Sequence, residues 1–513
     1  MATSLPFPFP LLPLLLLLST ITTTSSSSSS SSPKVCVVGS GIGGASASHF
    51  LKQYTCTTTT TSPGAAAAAA APCVDDIRVF ERRDVAGGRT ATVSVAGDEF
   101  EAGASIIHPR NLHAARFAAL LGLSHRPDDD GDDSWLGIWD GSSFVFKTLA
   151  PPPPSSGSLY WKLHELLNSL LVFRRYGLSL LRMDRFVKKM LERFMLFYNG
   201  FESRPVFETV EEMLKWTDLY GLTQRTLEEE LVDAGLNSRT ISELVTVITR
   251  VNYGQSVSIS GLAGAVSLAG SESGLWAVKG GNRLLATGLI KHANATLHLH
   301  EEIISISDAE GYYVLKSAQG NEYNCDVTVI ATPLDELNIT FDPVVSLPPR
   351  KLQHTYTTFV RGLLNPKYFG LKSALEIPDL VGTLELSDIP FSSLSVLKKY
   401  SEGDATYKLF SRAPLDDGLL DQIFSTRTET VRINWPAYPH YKAPEVFAPI
   451  ILDGKHLYYI NSFESAASAI EASAVAAENV ARLIISRLSK LSSNAADVKL
   501  FVSEEAEALH KEL

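Results

Sequence analysis

The chain has 513 residues and a net charge of −11 with no basic block. That is enough for a large core in two interleaved domains, and it argues against nucleic acid as a partner. Its four cysteines (Cys36, Cys56, Cys73 and Cys325) are too few for a disulfide framework at this length, and Cys36 and Cys325, in or beside expected strands, read as small core residues.

Residues 1–32 read as a leader outside the fold. The apolar run from Leu11 to Leu18 is too short to span a bilayer, and a Ser/Thr tract follows to Ser32. This resembles a secretory signal peptide, although it lacks a basic n-region and a small-x-small cleavage site. Two glycosylation sequons, at Asn294 and Asn338, agree with passage through the secretory pathway. No later segment is apolar enough to cross a membrane, which leaves peripheral membrane contact open.

The fold proper begins with Val35–Val38, a short buried strand that runs into Gly39-x-Gly41-x-Gly43-Gly44 and then a helix from Ala45. Strand, glycine turn and helix together form a dinucleotide-binding unit. Gly39 makes the turn, Gly41 lets backbone approach a pyrophosphate, and Gly44 lets the helix pack on the strand. The free N–H groups and the helix dipole then hold the anion. Residues 55–72, rich in Thr and Ala, read as a low-complexity surface insertion. A second strand, Ile77–Phe80, ends at Glu81. Glu81 lies 37 residues past Gly44, and removing the insertion restores the spacing of a ribose-binding acid.

Gly87-Gly88-Arg89 follows, then a hairpin-like stretch reaching Gly103. The glycines let backbone reach a pyrophosphate, and Arg89 adds a charge-assisted contact. His108 and Asn111, just beyond, are candidates for lining an active site. An acidic segment (Asp128–Asp133) and Pro151–Pro154 mark loops around a small β-rich piece. Leu159–Leu231 is helical, with Phe186, Met190, Phe194, Phe197 and Tyr198 at helical spacing. That stripe reads as core, and also as the wall for an apolar ligand. Strands are expected at Thr296–Leu299, Ile303–Ile306 and Tyr312–Lys316, and over Asp326–Pro333, ending in Ala-Thr-Pro. A strand at Leu457–Asn461 and a turn at Ser462–Glu464 precede an alanine-rich helix from Ser465 to about Ser489. Glu464 and, about two helical turns further on, Glu471 lie near that helix N-terminus.

The Glu81-x₅-Gly87-Gly88-Arg89 pattern resembles FAD proteins of the glutathione-reductase-like class, amine-oxidase branch. More specific are Glu101-x-Gly103-x-Ser105-x-Ile107-His108-Pro109-x-Asn111-Leu112-His113, Arg250–Ser256, and Gly274-Leu275-Trp276-Ala277-Val278-x-Gly280-Gly281-Asn282. With Ala331–Leu334 and Asn338–Phe341, these resemble prenylcysteine oxidases, whose plant members are farnesylcysteine lyases, over Val35 to about Leu483.

The resemblance implies an α/β fold: an FAD/NAD(P)-binding Rossmann-like domain (33–115, 275–345 and 445–490) with an interleaved α+β substrate domain (116–274 and 346–444) and a C-terminal tail (491–513). It places Ile303 near the adenine, the start of the last helix against the flavin, and Glu464, or alternatively Glu471, at the cofactor. The implied activity is FAD-dependent oxidation of S-prenyl-L-cysteine, farnesyl or geranylgeranyl, in a lysosome or vacuole. Hydride leaves the allylic carbon beside sulfur for the flavin, and water adds to the thiocarbenium ion. The hemithioacetal collapses to cysteine and a prenyl aldehyde, and O2 reoxidises the flavin to give H2O2. Sulfur's lone pair drives hydride loss, so no catalytic residue is assigned, and no metal is expected. An amine or polyamine oxidase on the same fold, and a non-catalytic prenyl-binding carrier, are the competing readings.

Overall fold

The structure, a computed structural model, describes residues 32–55, 73–126, 135–153, 155–199 and 204–511, with 491–511 as backbone only. The leader (but for Ser32), the low-complexity insertion (but for Thr55) and the acidic segment 128–133 lie outside the described residues.

Strand β1 (Lys34–Val38) leads through the glycine turn into α1 (Ile42–Thr55), and β2 (Asp76–Phe80) lies parallel to β1. A hairpin of β3 (Thr92–Val95) and β4 (Asp98–Glu101), then α2 (Leu112–Leu120), lead to β5 (Leu136–Trp139) and β6 (Phe144–Lys147). The expected helical region forms α3 (Ser158–Tyr176), α4 (Ser179–Phe194), α5 (Val210–Trp216) and α6 (Leu227–Asp233). Thr209 with Glu212, and Thr226 with Glu229, are reciprocal capping boxes, so both short helices start where their sequences supply partners for free N–H groups. Next, α7 (Ser238–Thr240) passes through a π turn into α8 (Thr246–Tyr253), which Gly254 ends in the left-handed region. Helices α9 (Gly261–Ala269) and α10 (Arg283–His292) complete the run.

The chain continues through β7 (Thr296–His298), β8 (Ile303–Asp308), β9 (Tyr313–Ser317), β10 (Glu322–Cys325), β11 (Val327–Ile330) and β12 (Thr340–Asp342). Then come β13 (Leu352–Leu364), β14 (Leu380–Thr383), β15 (Ser393–Ser401), β16 (Asp404–Ser411), α11 (Asp417–Ile423) and β17 (Phe424–Pro439). The last elements are β18 (Leu457–Tyr459) and α12 (Ile470–Lys511).

Three principal sheets result. A parallel sheet in the order β18-β11-β1-β2-β7 is the nucleotide-binding layer, and β10-β9-β8-β12 forms a smaller sheet beside it. The seven-stranded sheet β17-β13-β16-β15-β14-β5-β6 joins strands from 116–274 with strands from 346–444. Helix α1 packs against α10 and α12. Both helices are rich in small buried residues where they are covered, Ala45, Ser46 and Ala47 in α1 and Ala474, Ala477 and Ala481 in α12.

Three expectations are corrected. Cys36 and Cys325 are buried, as expected of core residues, yet they form a disulfide across 289 residues with Cα atoms 5.8 Å apart. Cys325 ends β10 just before β11, which pairs with β1, so the sheet order brings the two thiols together. Cys73 is disulfide-bonded as well. Strand β18 stops at Tyr459, and a 3-10 turn (Ile460–Ser465) delays the last helix to Ile470. The turn holds because the Phe463 carbonyl accepts the Ala466 N–H, and the Glu464 side chain is drawn back to Asn461 and Ser468. Residues 491–511, expected as a tail, continue α12, in a stretch without Gly or Pro to break it.

Candidate functional site

Two glycine turns meet at the carboxyl ends of β1 and β2. Gly41 and Gly87 pair as a parallel bridge, and the Gly87 N–H donates to the Ser40 carbonyl at 3.2 Å. A Cβ on Gly44 would lie 2.0 Å from the Gly39 carbonyl oxygen, and one on Gly103 would lie 1.9 Å from that of Arg89. Backbone packs on backbone at both points, and only glycine fits.

A cavity of about 210 Å³ opens beside these turns, and Gly39, Gly41, Gly43, Gly87, Gly88 and Gly103 all line it. Glu81, just past β2, lines it too; its carboxylate accepts from the Ser40 hydroxyl and from the Ser40 and Arg83 N–H groups. The far wall is the segment leading into α12, from Ala467 to Ile470, followed by Ala472 and Ser473 of its first turns. A helix N-terminus therefore faces the same space as the two glycine turns. Asn461 Oδ1 and Trp435 Nε1, of residues lining this cavity, are buried and have no hydrogen-bond partner among the described residues. Ile303 lines an adjoining hollow of about 260 Å³ that also touches Gly39, Glu81 and Arg82.

The two remaining candidates on this wall bind each other. Arg89 Nη2 and Glu464 Oε1 are 2.5 Å apart, Arg89 Nη1 donates to the Ala437 carbonyl at 2.5 Å, and Arg350 reaches the other Glu464 oxygen at 3.4 Å. Arg350 is also held bidentately by Asp335 at 2.7 and 2.6 Å. Burial alone would raise the Glu464 carboxyl, but the Arg89 and Arg350 guanidiniums hold it below the usual carboxylate range.

A second cavity, of about 320 Å³, lies on the helical side. Met190, Leu191 and Phe194 of α4, with Val251, Val266 and Leu275, give it an apolar wall. It shares Gly103, Ala104, Phe410, Tyr438 and the Ser468–Ile470 segment with the first cavity. His108 and Asn111 line it as well. Asn111 Oδ1 accepts the His108 N–H at 2.7 Å, and His108 Nδ1 accepts the Arg110 N–H at 3.0 Å. The ring proton therefore sits on Nε2 and is donated to Glu272 at 2.9 Å. Glu471 is here rather than at the nucleotide cavity. Its oxygens accept the His113 and Ala114 N–H groups at the start of α2 (2.7 and 3.0 Å) and the Tyr198 hydroxyl (2.6 Å). Its carboxylate caps α2 from this cavity, whereas Glu464 lines the first.

The sequence model described as prenylcysteine lyase matches residues 161–497. A farnesylcysteine lyase of Arabidopsis thaliana is 56% identical over 456 residues, 88% of either chain, and prenylcysteine oxidase 1 of Homo sapiens is 34% identical over 484 residues, again 88% of either. The chain belongs to the prenylcysteine lyase family. An NAD(P)-binding Rossmann-like domain model matches residues 63–121, beginning past the first glycine turn. Among solved structures, a putrescine oxidase (TM-score 0.55, 14% identical) and the cyclohexylamine oxidase of Brevibacterium oxydans (0.56, 17% identical) each cover 89% of this chain and 99% of their own. At such identity the likeness is one of fold.

In this member of the prenylcysteine lyase family, the segments that carried the resemblance come together. Ile107 and Trp276 exchange backbone hydrogen bonds of 2.7 and 2.9 Å. Gln255 ties the end of β17 by donating to the Pro439 carbonyl and accepting the Tyr441 N–H. Tyr253 donates to the Ser468 carbonyl and Tyr441 accepts the Ser468 N–H, fixing the chain ahead of α12.

Sequence reading assigned no site role to Arg350, Lys408 or Glu101, although Glu101 opens one of the motifs that carry the resemblance. Lys408 stands on β16 with Thr406 and Phe410, opposite the core-facing Tyr407 and Leu409; that strand alternation was the available signal. Glu101 Oε1 accepts the Asn282 N–H at 2.7 Å, while its buried Oε2 has no partner among the described residues. Burial pushes its carboxyl up to about 7, against the Asn282 hydrogen bond and the Arg126 and Lys408 charges. A carboxyl raised above its unfolded value of about 4.5 binds its proton more tightly in the fold, so its contribution to stability falls as pH climbs from about 4.5 to about 7. Glu101→Gln removes that slope. Its stability relative to wild type should be about 2–3 kcal/mol greater at pH 8 than at pH 4.5. Denaturant titrations at the two values check this, and an equal difference at both overturns it.

Proposed function

We propose that the protein is an FAD-dependent thioether oxidase that cleaves S-prenyl-L-cysteine, with O2 and water, to a prenyl aldehyde, cysteine and H2O2. The observation that carries this reading is the shared wall between a glycine-lined cavity and a mainly apolar one. The residues of the first cavity suit FAD. Glycine backbone offers N–H groups to a pyrophosphate, Glu81 offers a carboxylate to a ribose, and Asn461 and Trp435 bring an unpaired acceptor and donor. FAD bound there supplies a two-electron acceptor that O2 reoxidises.

The chain's own part is to bind, orient and exclude water. The Gly103–Ala104 turn and Phe410 lie between the cavities, and the α4 wall receives a prenyl chain. Each buried methylene contributes about 0.8 kcal/mol before ordering costs. A cationic polyamine fits less well, since Lys408 faces the second cavity and Glu471 is engaged by the start of α2. A carrier has no use for a cradle joined to its lipid pocket. Anaerobic mixing with S-farnesylcysteine should bleach the flavin absorption and release farnesal, with putrescine inert. An unbleached flavin overturns the proposal.

The same reading places the protein in the secretory pathway, in a lysosome or vacuole. The disulfides support an oxidising compartment, and both sequon asparagines, Asn294 and Asn338, are exposed.

It also includes peripheral contact with an anionic bilayer. Leu159, Tyr160, Leu163, Leu166, Leu170 and Phe173 of α3 are exposed apolar side chains. Residues 158–194 carry eight basic and three acidic residues in a chain of net charge −11. Helix α4, which follows α3, supplies the cavity wall, and no helix among the described residues is long and apolar enough to span a membrane. Leu163→Asp/Leu166→Asp should bind phosphatidylserine vesicles at least about 10-fold more weakly in flotation assays. Undiminished flotation overturns this contact.

A further inference from the structure

Lys408 is 8% exposed, and its ammonium faces the second cavity. Nζ lies 3.2 Å from Ser105 Oγ and 5.0 Å from the centre of the Phe410 ring, and among the described residues it forms no ion pair. A buried ammonium without an ion-pair partner is costly, and the cavity it faces has room for an anionic group to supply one. Burial lowers the Lys408 group to about 8; the Glu101 charge opposes that shift and Arg126 adds to it.

The strand geometry gives this cation a fixed place. Lys408 and Phe410 point to one face of β16, and in register beside them on β15 stand Ser395 and Ser393, both lining the same cavity. Phe410 belongs to the wall shared with the nucleotide cavity, whereas Lys408 lines the second cavity alone. Residues two apart on a strand are spaced roughly 7 Å, comparable to the reach of a cysteine skeleton from its carboxylate to the carbon bonded to sulfur. Met190, Leu191 and Phe194 offer the apolar surface for what lies beyond the sulfur.

We propose that Lys408 is the specificity-determining anchor for the free α-carboxylate of the substrate, holding it so that the thioether lies at the wall shared by the two cavities. This rests on the thioether-oxidase reading above. It makes the site selective for free S-prenylcysteine over esters or peptides in which that carboxylate is blocked, so a reaction class that hydrolyses the ester and peptide bonds must act first.

The test compares kcat/KM of the flavin-loaded enzyme for S-farnesylcysteine and for its methyl ester. Wild type should prefer the acid. In Lys408→Met that preference should fall about 100-fold, through KM for the acid, and Lys408→Arg should retain it. An equal loss on both compounds, which a merely structural role would produce, or an unchanged preference, overturns the anchor and leaves the oxidase reading intact. No turnover of either compound by wild type overturns that reading and the anchor with it. A measurement on wild type alone is independent of how any variant folds: farnesylthioacetic acid should compete with substrate at least about 10-fold better than its amide. Equal competition by the two overturns the proposal.

Discussion

Gly44→Ala should yield a protein that retains no flavin and is destabilised by about 3 kcal/mol. The added methyl would lie 2.0 Å from the Gly39 carbonyl oxygen and 3.0 Å from Val37 Cγ1, and neither the turn nor the strand can yield without opening the other. Neighbouring glycines give the controls. A Cβ on Gly43 meets only Ile460 Cγ2 at 3.4 Å, so Gly43→Ala should be close to silent. On Gly41 the nearest atoms are 3.9 and 4.0 Å away, so Gly41→Ala should fold with wild-type stability. Yet Gly41 lines the nucleotide cavity where a pyrophosphate has to approach, and this variant should still lose flavin. Thermal unfolding and the ratio of visible to ultraviolet absorbance separate the three. Full flavin content in Gly41→Ala would overturn the assignment of the pyrophosphate to this turn.

Glu464→Gln should cost about 3 kcal/mol at neutral pH, because it leaves Arg89 and Arg350 facing each other with a neutral amide between them. The pH dependence carries the sign. The folded carboxyl is held below its unfolded value, so its stabilisation is fully present above about pH 4.5 and is lost as pH falls through the lower folded value. The deficit of Glu464→Gln should therefore be largest at neutral pH and shrink in acid. Denaturant titrations of the two proteins from pH 7 to pH 3 measure it, and a constant deficit would overturn the electrostatic account. Asp335 still holds Arg350 bidentately in the variant, so the larger displacement should be at Arg89.

How far the sequence could be read follows from how local each signal is. The first strand, turn and helix were legible because apolar run, glycine spacing and small residues lie within 20 positions of one another and each has a steric reason. Glu81 was legible once the insertion was set aside. The same locality explains what was not. The Cys36–Cys325 bond depends on which strands become neighbours, and 289 residues of sequence separate its ends. Glu471 has the residue type and helical position of a cofactor acid, but the free N–H groups it satisfies belong to α2, 358 positions from it at His113. Arg89 and Glu464 were each assigned to the cofactor, and their pairing is visible only once β17 and the 3-10 turn are brought to the same wall. Lys408 sits in a strand where a lone lysine usually marks an exposed face, and only the covering helices make that face an interior.

The order of strands in the nucleotide sheet also governs synthesis. The edge strand β18 and the wall formed by Ala467–Ser473 are among the last parts of the chain to be made, while β1 and β2 are among the first. Without β18, strand β11 is left at the edge of the nucleotide sheet, and without Ala467–Ser473 the cavity lacks one wall. Until those distant segments meet, the sheet keeps an open edge, the kind of surface that pairs with other chains.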